Sequence, residues 1–396
     1  MIFKPSPTLG LGFLNERLMK KIITLIITAL TTLSASALDD GFYRMQCVET
    51  GRYVSFRNNY VDTESAKRTT EVQFYSLRTI SGFENVANDP GSIIYIKKFS
   101  QGYALRSQGF GTDESNYYIQ ITDMGDGTYR LWATYNKDGV SATRYMRDCD
   151  NTSGNYSYVT TEQAISKGWN WRLIPVNSED KKYIGLIPEV KVGGKGYATF
   201  YAGIPYKLGS GMKAYAVDTE TDETCTLKDI GATIPAKTPV VIECAGENAA
   251  DNKITPLETT SGSVGTNYLK GVMFCYPVLT SSGAERRSNP YWNTVDYDVL
   301  SMRVLGEEGG KLVFKTGGED LDYMPANKAY LSVPLSAAAV LTIDGSTAIK
   351  GIKVSSTSSA SSTPSGTFTL NGVRLPDNAT PQKGVYVKDG KKIVIK

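Results

Sequence analysis

Histidine is absent from the 396 residues of this chain. That removes the commonest general base and excludes serine or cysteine nucleophiles activated by an imidazole. Cysteine is scarce and odd in number: Cys47, Cys149, Cys225, Cys244 and Cys275. Their spacings match no zinc pattern, and without histidine a zinc site would need four thiolates. No metal or other cofactor is therefore expected. A dominant charge is also missing. The formal net charge is +3 and no run of Lys and Arg is long enough for a nucleic-acid footprint. Long apolar runs are lacking too. Ile22 to Leu33 covers 12 residues, interrupted only by threonines, where a membrane-spanning helix needs about 20.

That short run sits in an informative place. Met19 to Ala37 reads MKKIITLIITALTTLSASA. Lys20 and Lys21 form a positive start, the apolar run follows, and Ala35-Ser36-Ala37 is a small-x-small cleavage site. The order is that of a secretory signal peptide cleaved after Ala37. Residues 1–37 are read as an over-long start plus this signal, and the protein is expected to be secreted or held at the cell surface. Leu38-Asp39-Asp40 follow, so no cysteine is available for an N-terminal lipid anchor.

What is abundant is tyrosine and glycine: 25 Tyr against 12 Phe, with 38 Gly. Tyrosine favours half-exposed strands and glycine favours turns. No stretch sustains a helical period. The expected fold is all-β: a β-trefoil-like domain, an antiparallel β-sandwich-like domain and a short C-terminal β-hairpin tail.

The first domain is placed at residues 38–177 by a weak internal repeat. Gly51-Arg52-Tyr53-Val54-Ser55, Gln101-Gly102-Tyr103-Ala104-Leu105 and Thr143-Arg144-Tyr145-Met146-Arg147 are aromatic-centred strands. Each precedes a second aromatic strand: 72–77, 117–121 and 169–173. Three such copies point to a closed barrel that none could build alone. Asp126-Gly127, between Ile119-Gln120-Ile121 and Tyr129-Arg130-Leu131-Trp132, is a hairpin turn. The region resembles the ricin-type β-trefoil family and, more closely, trefoil-like modules of secreted Bacteroidetes proteins. The resemblance rests on Gly51-Arg52-Tyr53-Val54, on residues 88–96 and on Trp171-Arg172-Leu173-Ile174-Pro175-Val176. It implies carbohydrate binding. The lectin Gln-x-Trp signature is approached once, at Trp169-Asn170-Trp171.

Residues 183–345 contain strand-like runs at 197–201, 213–217, 239–244, 311–315 and 329–333, with an irregular insertion from Ser281 to Asp298. Cys225 and Cys244 lie in neighbouring strand-like runs and are the candidate disulfide. Gly196-Tyr197-Ala198-Thr199, Met212-Lys213-Ala214-Tyr215, residues 234–241 and 325–331 resemble a recurrent module of secreted Bacteroidetes proteins, which implies lineage and no particular chemistry. Residues 346–366 are a linker: nine of the twelve residues from Ser355 to Gly366 are Ser or Thr. Residues 367–396 resemble the C-terminal sorting segments of type IX secretion substrates, through Lys383-Gly384-Val385-Tyr386 and the terminal Lys391-Lys392-Ile393-Val394-Ile395-Lys396. That implies a sorting or docking partner. Asp389-Gly390 also reads as an ordinary hairpin turn.

Catalytic patterns are weak. Ser178-Glu179-Asp180-Lys181 and Lys315-Thr316-Gly317 give two thirds of a penicillin-binding signature, but Ser178 sits in a polar linker without the helix that chemistry needs. Gly193-Gly194-Lys195-Gly196 reads as a turn before a strand. A glycosidase would need two acids facing at about 5 Å, or at roughly 6.5–9.5 Å; 220–223 and 319–322 look like solvated turns. Asp123-Met124-Gly125-Asp126-Gly127 lacks the further acids of a calcium loop. What remains is aromatic stacking against sugar C–H faces, with Tyr117, Tyr118, Trp132 and Tyr135 around one hairpin as the candidate ligand-binding residues. The expected activity is non-enzymatic binding of glycans; an adhesive protein that binds surface proteins and a carboxylate glycoside hydrolase are the alternatives.

Overall fold

The computed structural model describes residues 38–56, 77–111, 118–137, 139–150, 156–163, 167–273, 275, 295–344, 367–369, 384–388 and 391–395. The signal segment, the linker, Tyr117 and most of the 281–298 insertion lie outside them. The described residues are all-β: strands joined by turns and two short 3-10 turns, Phe83–Asn85 and Pro90–Ser92. Among them no helix is long and apolar enough to cross a membrane. Two compact units divide the chain, Met1–Thr347 and Ala348–Lys396.

The first lobe runs through β1 (Gly41–Cys47), β2 (Tyr53–Phe56), β3 (Leu77–Ile80), β4 (Ile94–Phe99), β5 (Gly102–Ser107), β6 (Phe110–Gly111), β7 (Gln120–Asp123), β8 (Tyr129–Lys137), β9 (Val140–Asp148), β10 (Tyr156–Glu162) and β11 (Trp171–Pro175). Six of these close a ring in the order β1–β4–β5–β7–β8–β11 and back to β1. The β5–β7 step is a single bridge, Tyr103 to Ile119, with N···O distances of 2.8 and 2.9 Å. A second ribbon, β2–β3–β10–β9, runs from β1 to β8 along another path. Strand alternation fills the ring. Met45, Cys47, Ile94, Ile96, Leu105, Ile119, Leu131 and Trp171 share one core, while intervening residues face outward.

The aromatic-centred copies do not occupy matching places in this ring. Tyr53, Tyr103 and Tyr145 fall on β2, β5 and β9, and only β5 is a ring strand. Tyr43, Tyr103 and Tyr129 each fall near the start of a ring strand. Tyr43 is a member of the core, and the other two pack against it.

The second lobe contains β12 (Ile184–Gly185), β13 (Val190–Val192), β14 (Lys195–Phe200), β15 (Tyr206–Leu208), β16 (Lys213–Glu220), β17 (Thr224–Asp229), β18 (Thr233–Ile234), β19 (Val240–Cys244), β20 (Lys253–Pro256), β21 (Leu269–Val272), β22 (Met302–Glu308), β23 (Lys311–Lys315), β24 (Lys328–Ser332) and β25 (Val340–Asp344). All five strand-like runs of the sequence reading are strands. The small sheet β12–β20–β15–β18 packs Leu186, Tyr206, Ile234 and Ile254 onto Phe200, Val240 and Ile242 of the large sheet. This is the sandwich-like part.

The large sheet departs from a plain antiparallel layer in two ways. β17 and β25 pair in parallel. The sheet also curls shut through β16–β17–β25–β23–β22–β24–β21, because Tyr268 N–H donates to Val217 O at 2.9 Å and Val217 N–H donates to Asn267 Oδ1 at 3.2 Å. The closure falls at the bulge after Val217, where an unpaired backbone position becomes available. Gly193 and Gly194, with φ of 57° and 78°, make the β13–β14 hairpin turn. Both central residues need positive φ there, which glycine adopts freely.

The two lobes share a buried seam. Ile93 of the first lobe belongs to the second lobe's core, and Phe42 and Val176 pack against it. The buried Arg44 donates to Ser92 Oγ (3.1 Å), Val86 O (3.2 Å) and Tyr183 O (2.6 Å). Desolvation lowers its pKa to about 10, against the opposing field of Asp89. Asn327 Nδ2 donates to Gln108 Oε1 at 2.8 Å across the same seam.

The second unit is described by itself. β26 (Thr367–Thr369), β27 (Gly384–Lys388) and β28 (Lys391–Ile395) form a three-stranded antiparallel sheet. Lys388 lies opposite Lys391, so β27 and β28 pair as an antiparallel hairpin with β26 on the other side of β27; Asp389-Gly390, the expected turn, lies outside the described residues.

Candidate functional site: an outer aromatic row

The β7–β8 hairpin forms because its turn supplies its own hydrogen bonds. Asp123 Oδ1 accepts from Gly125 N–H (2.8 Å), and Asp126 Oδ1 accepts from the N–H and hydroxyl of Thr128 (3.0 and 2.6 Å). The Thr128 hydroxyl, and then its N–H, hold the Asp126 carboxyl below its ordinary value. These acids are turn formers, and among the described residues no group of three metal-ligating side chains occurs.

The hairpin sets a transverse register. Gln120 of β7 lies opposite Trp132 of β8, Trp132 opposite Tyr145 of β9, and Tyr145 opposite Glu162 of β10. Leu131 and Met146 point into the core, so their neighbours Trp132 and Tyr145 face outward. Both are half-buried. The indole is fixed by its Nε1–H donating to Thr122 Oγ1 at 3.0 Å. Its ring centroid is 6.4 Å from that of Tyr145, tilted 44°, and Tyr145 is 5.4 Å from Trp169, tilted 56°. Arg147 and Glu162 form an ion pair at 3.2 Å on the next two strands. The outcome is a fixed, partly exposed pair of rings bordered by an amide, a hydroxyl and a charged pair. Such a surface can stack on the C–H face of a sugar and hydrogen-bond its hydroxyls.

Of the four residues read from the sequence, Trp132 is on this row. Tyr118, two residues before Gln120, is half-buried, its ring 5.4 Å from Phe99 at the end of β4. Tyr135 occupies the β8 position opposite Ala142. Tyr117 lies outside the described residues. The sequence reading missed Gln120, Tyr145 and Glu162. Counting back from Asp126-Gly127 pairs Gln120 with Trp132, and the Asp138-Gly139 pair, not read as a turn, would have paired Trp132 with Tyr145; no turn this short sets Glu162 opposite Tyr145.

The near-match Trp169-Asn170-Trp171 is structural. Trp169 is buried behind Tyr145, and Trp171 is in the core with its Nε1–H on Met146 O at 3.2 Å. The candidate disulfide is corrected. Cys225 and Cys244 lie on β17 and β19, with β16 between them. Cys225 faces Glu220 at one end of β16, whereas Glu243, next to Cys244, faces Lys213 at the other. At about 3.3 Å per residue this separation far exceeds the roughly 7 Å Cα limit of a disulfide. Both are buried free thiols. Segment 177–182 is a turn, so Ser178 and Lys181 are not one helical turn apart. A cavity of about 230 Å³ between β14, β22 and β24 is lined mainly by apolar side chains with one carboxylate, Glu189. That carboxylate is held by Lys328 and by Thr199 N–H at 3.3 Å.

No protein-family model matches the chain, and no curated protein matches it either.

Proposed function

We propose that this is an exported, non-enzymatic binding protein whose first lobe takes glycans on the outer row Gln120–Trp132–Tyr145–Glu162. The observation that carries this reading is the register itself: four strands put two fixed, half-exposed rings between polar side chains. The ring order β1–β4–β5–β7–β8–β11 supports a β-trefoil, the architecture that the first-lobe sequence resembles and that implies carbohydrate binding. The signal-like segment ending at Ala37 supports export, and the basic-aliphatic tail supports a sorting or docking role.

The test is a glycan array probed with the full chain and with Trp132→Ala and Tyr145→Ala. Binding by the wild type, weakened about fivefold by either substitution, is the expected result; one aromatic contact contributes on the order of 1 kcal/mol. Wild-type binding indifferent to both substitutions would move the site elsewhere. Absence of binding by the wild type would sink the glycan reading. An adhesive, protein-binding role is favoured by a separate feature of the second lobe.

A further inference from the structure

One end of the second-lobe ring concentrates apolar side chains and acids. Antiparallel pairing brings the β16–β17 turn, the starts of β21, β22 and β25, and the ends of β23 and β24 to the same end. The parallel β17–β25 pair keeps the start of β17 there as well. Four of the exposed large hydrophobic side chains are at this end: Tyr268 (41%), Val299 (51%), Leu300 (61%) and Leu335 (77%).

The two loops that carry Val299, Leu300 and Leu335 are held rigidly together. Arg303 is buried, and its guanidinium donates to Val299 O and Met302 O (2.8 and 2.9 Å) in one loop. It also donates to Ala338 O and Ala337 O (2.8 and 3.1 Å) in the other. Val333 N–H donates to Ser301 O at 2.9 Å, which adds a backbone link. Asp298 closes its own turn through Leu300 N–H and the Ser301 hydroxyl. The third loop is tied in by Ala338 N–H on Asp222 O at 2.7 Å. A buried clamp that fixes exposed leucines has no evident purpose in the core; it preorganises a surface and lowers the ordering cost of binding.

Acids dominate the described loops at this end, with Lys270 of β21 an exposed cation beside Tyr268 and Arg303 buried beneath. Segments 221–223, 295–301, 316–327 and 333–339 contain no Lys or Arg, while Asp222, Glu223, Asp298, Glu319 and Asp320 are exposed. The chain as a whole carries +3, so the asymmetry is local. An acidic rim around apolar tips repels anionic lipid surfaces, nucleic acids and acidic glycans, and attracts a basic partner.

We propose that this end of the second ring is a docking face for a protein segment that carries aliphatic side chains flanked by lysine or arginine. Leu300 and Leu335 supply the apolar contact, and the acidic turns select the flanking charges. The face lies on the second lobe and does not depend on glycan binding by the first.

A random 12-residue peptide library displayed on phage and selected on the immobilised full chain tests it. Selected peptides should combine Ile, Leu or Val with Lys or Arg, and should bind less tightly as salt rises. Leu300→Asp with Leu335→Asp should weaken them about tenfold or more, and Trp132→Ala should leave them unchanged. The altered side chains are exposed, and a thermal melt checks that the variant folds. Asp222→Lys with Glu223→Lys, which leaves the leucines in place, should weaken the same peptides independently. Selection of peptides without that composition, or binding to either double variant as tight as to the wild type, overturns the proposal. So does Leu300-dependent sedimentation with phosphatidylcholine–phosphatidylglycerol vesicles, which would make the face a lipid contact. A wild-type dimer dissolved by the leucine substitutions would assign the face to a second copy and overturn it likewise.

Discussion

Asp148 is a carboxylate whose side chain is entirely shielded from solvent, and every contact around it favours the ionised form. Burial opposes ionisation, but the Thr50 hydroxyl (2.6 Å), the Asp150 N–H (3.0 Å) and Arg52 Nε (3.0 Å) outweigh it, so the pKa is lowered. Thr79 adds a further hydroxyl at 3.0 Å. Because the folded value lies below the unfolded one, near 4, the stabilisation is fully present above that pH and is lost as pH falls through the folded pKa. Asp148→Asn should therefore lower the urea midpoint at pH 6, by an amount equivalent to about 3 kcal/mol for a broken buried pair. The gap from wild type should narrow below about pH 4; a gap that stays constant down to pH 2 would refute the role of ionisation. The cysteines behave oppositely. Burial pushes Cys225 up to about 12 and Cys244 and Cys275 up to about 11. With the thiolate suppressed and access blocked, these three should stay unmodified by iodoacetamide at pH 8 until urea unfolds the chain, as peptide mass mapping would reveal. The odd cysteine count hinted at unpaired thiols, but not at how many, because pairing depends on strand order that sequence spacing does not carry.

Among the elements, local turns were legible and closures were not. Asp126-Gly127 identified the β7–β8 hairpin because the turn's hydrogen bonds lie within a few residues of it. Runs such as 311–315 were legible because β-branched and aromatic residues crowd a strand of their own. The β5–β7 bridge had no such signal, since Tyr103 and Ile119 meet only when the whole ring shuts. Nor did the Val217–Tyr268 contact that shuts the second ring. Tyr145 was missed for a different reason: it is thirteen positions from Trp132 across the β8–β9 hairpin, whose Asp138-Gly139 pair was not read as a turn. Ring closure nonetheless leaves a glycine dependence. Gly102 has φ of 143°, and a Cβ there would come within 2.6 Å of Gln120 Nε2 and 2.9 Å of Ile119 O. Gly102→Ala should combine backbone strain with a collision at the bridge, and cost on the order of 1–3 kcal/mol. The shift should appear in a urea titration, together with weaker binding on the Gln120–Trp132 row. Unchanged stability would mean that β5 and β7 can part without consequence.

At the scale of the molecule, the boundary near residues 177–183 is a change of topology with no break in the core. Ile93 is buried among second-lobe residues, Arg44 finds one of its three acceptors at Tyr183, and Gly185 N–H donates to Ala87 O at 2.9 Å. Separating the lobes would expose apolar surface at about 25 cal/mol per Å² and leave the Arg44 guanidinium short of a partner, a further loss on the order of 1–3 kcal/mol. These costs couple the lobes, so residues 38–344 should unfold in one cooperative transition. The sequence provides a separate reporter for each lobe. With Trp292 replaced by phenylalanine, Trp132, Trp169 and Trp171 report on the first lobe, and the buried thiols Cys225, Cys244 and Cys275, read apart from Cys47 and Cys149 by peptide mapping, report on the second. Tryptophan fluorescence and thiol accessibility followed through one urea titration should therefore give coincident midpoints. Arg44→Met should split them by weakening the seam while sparing both cores. Wild-type midpoints separated by more than about 0.5 M urea, roughly 1 kcal/mol at ordinary m-values, would mean that the lobes fold independently and that the seam is only a contact surface.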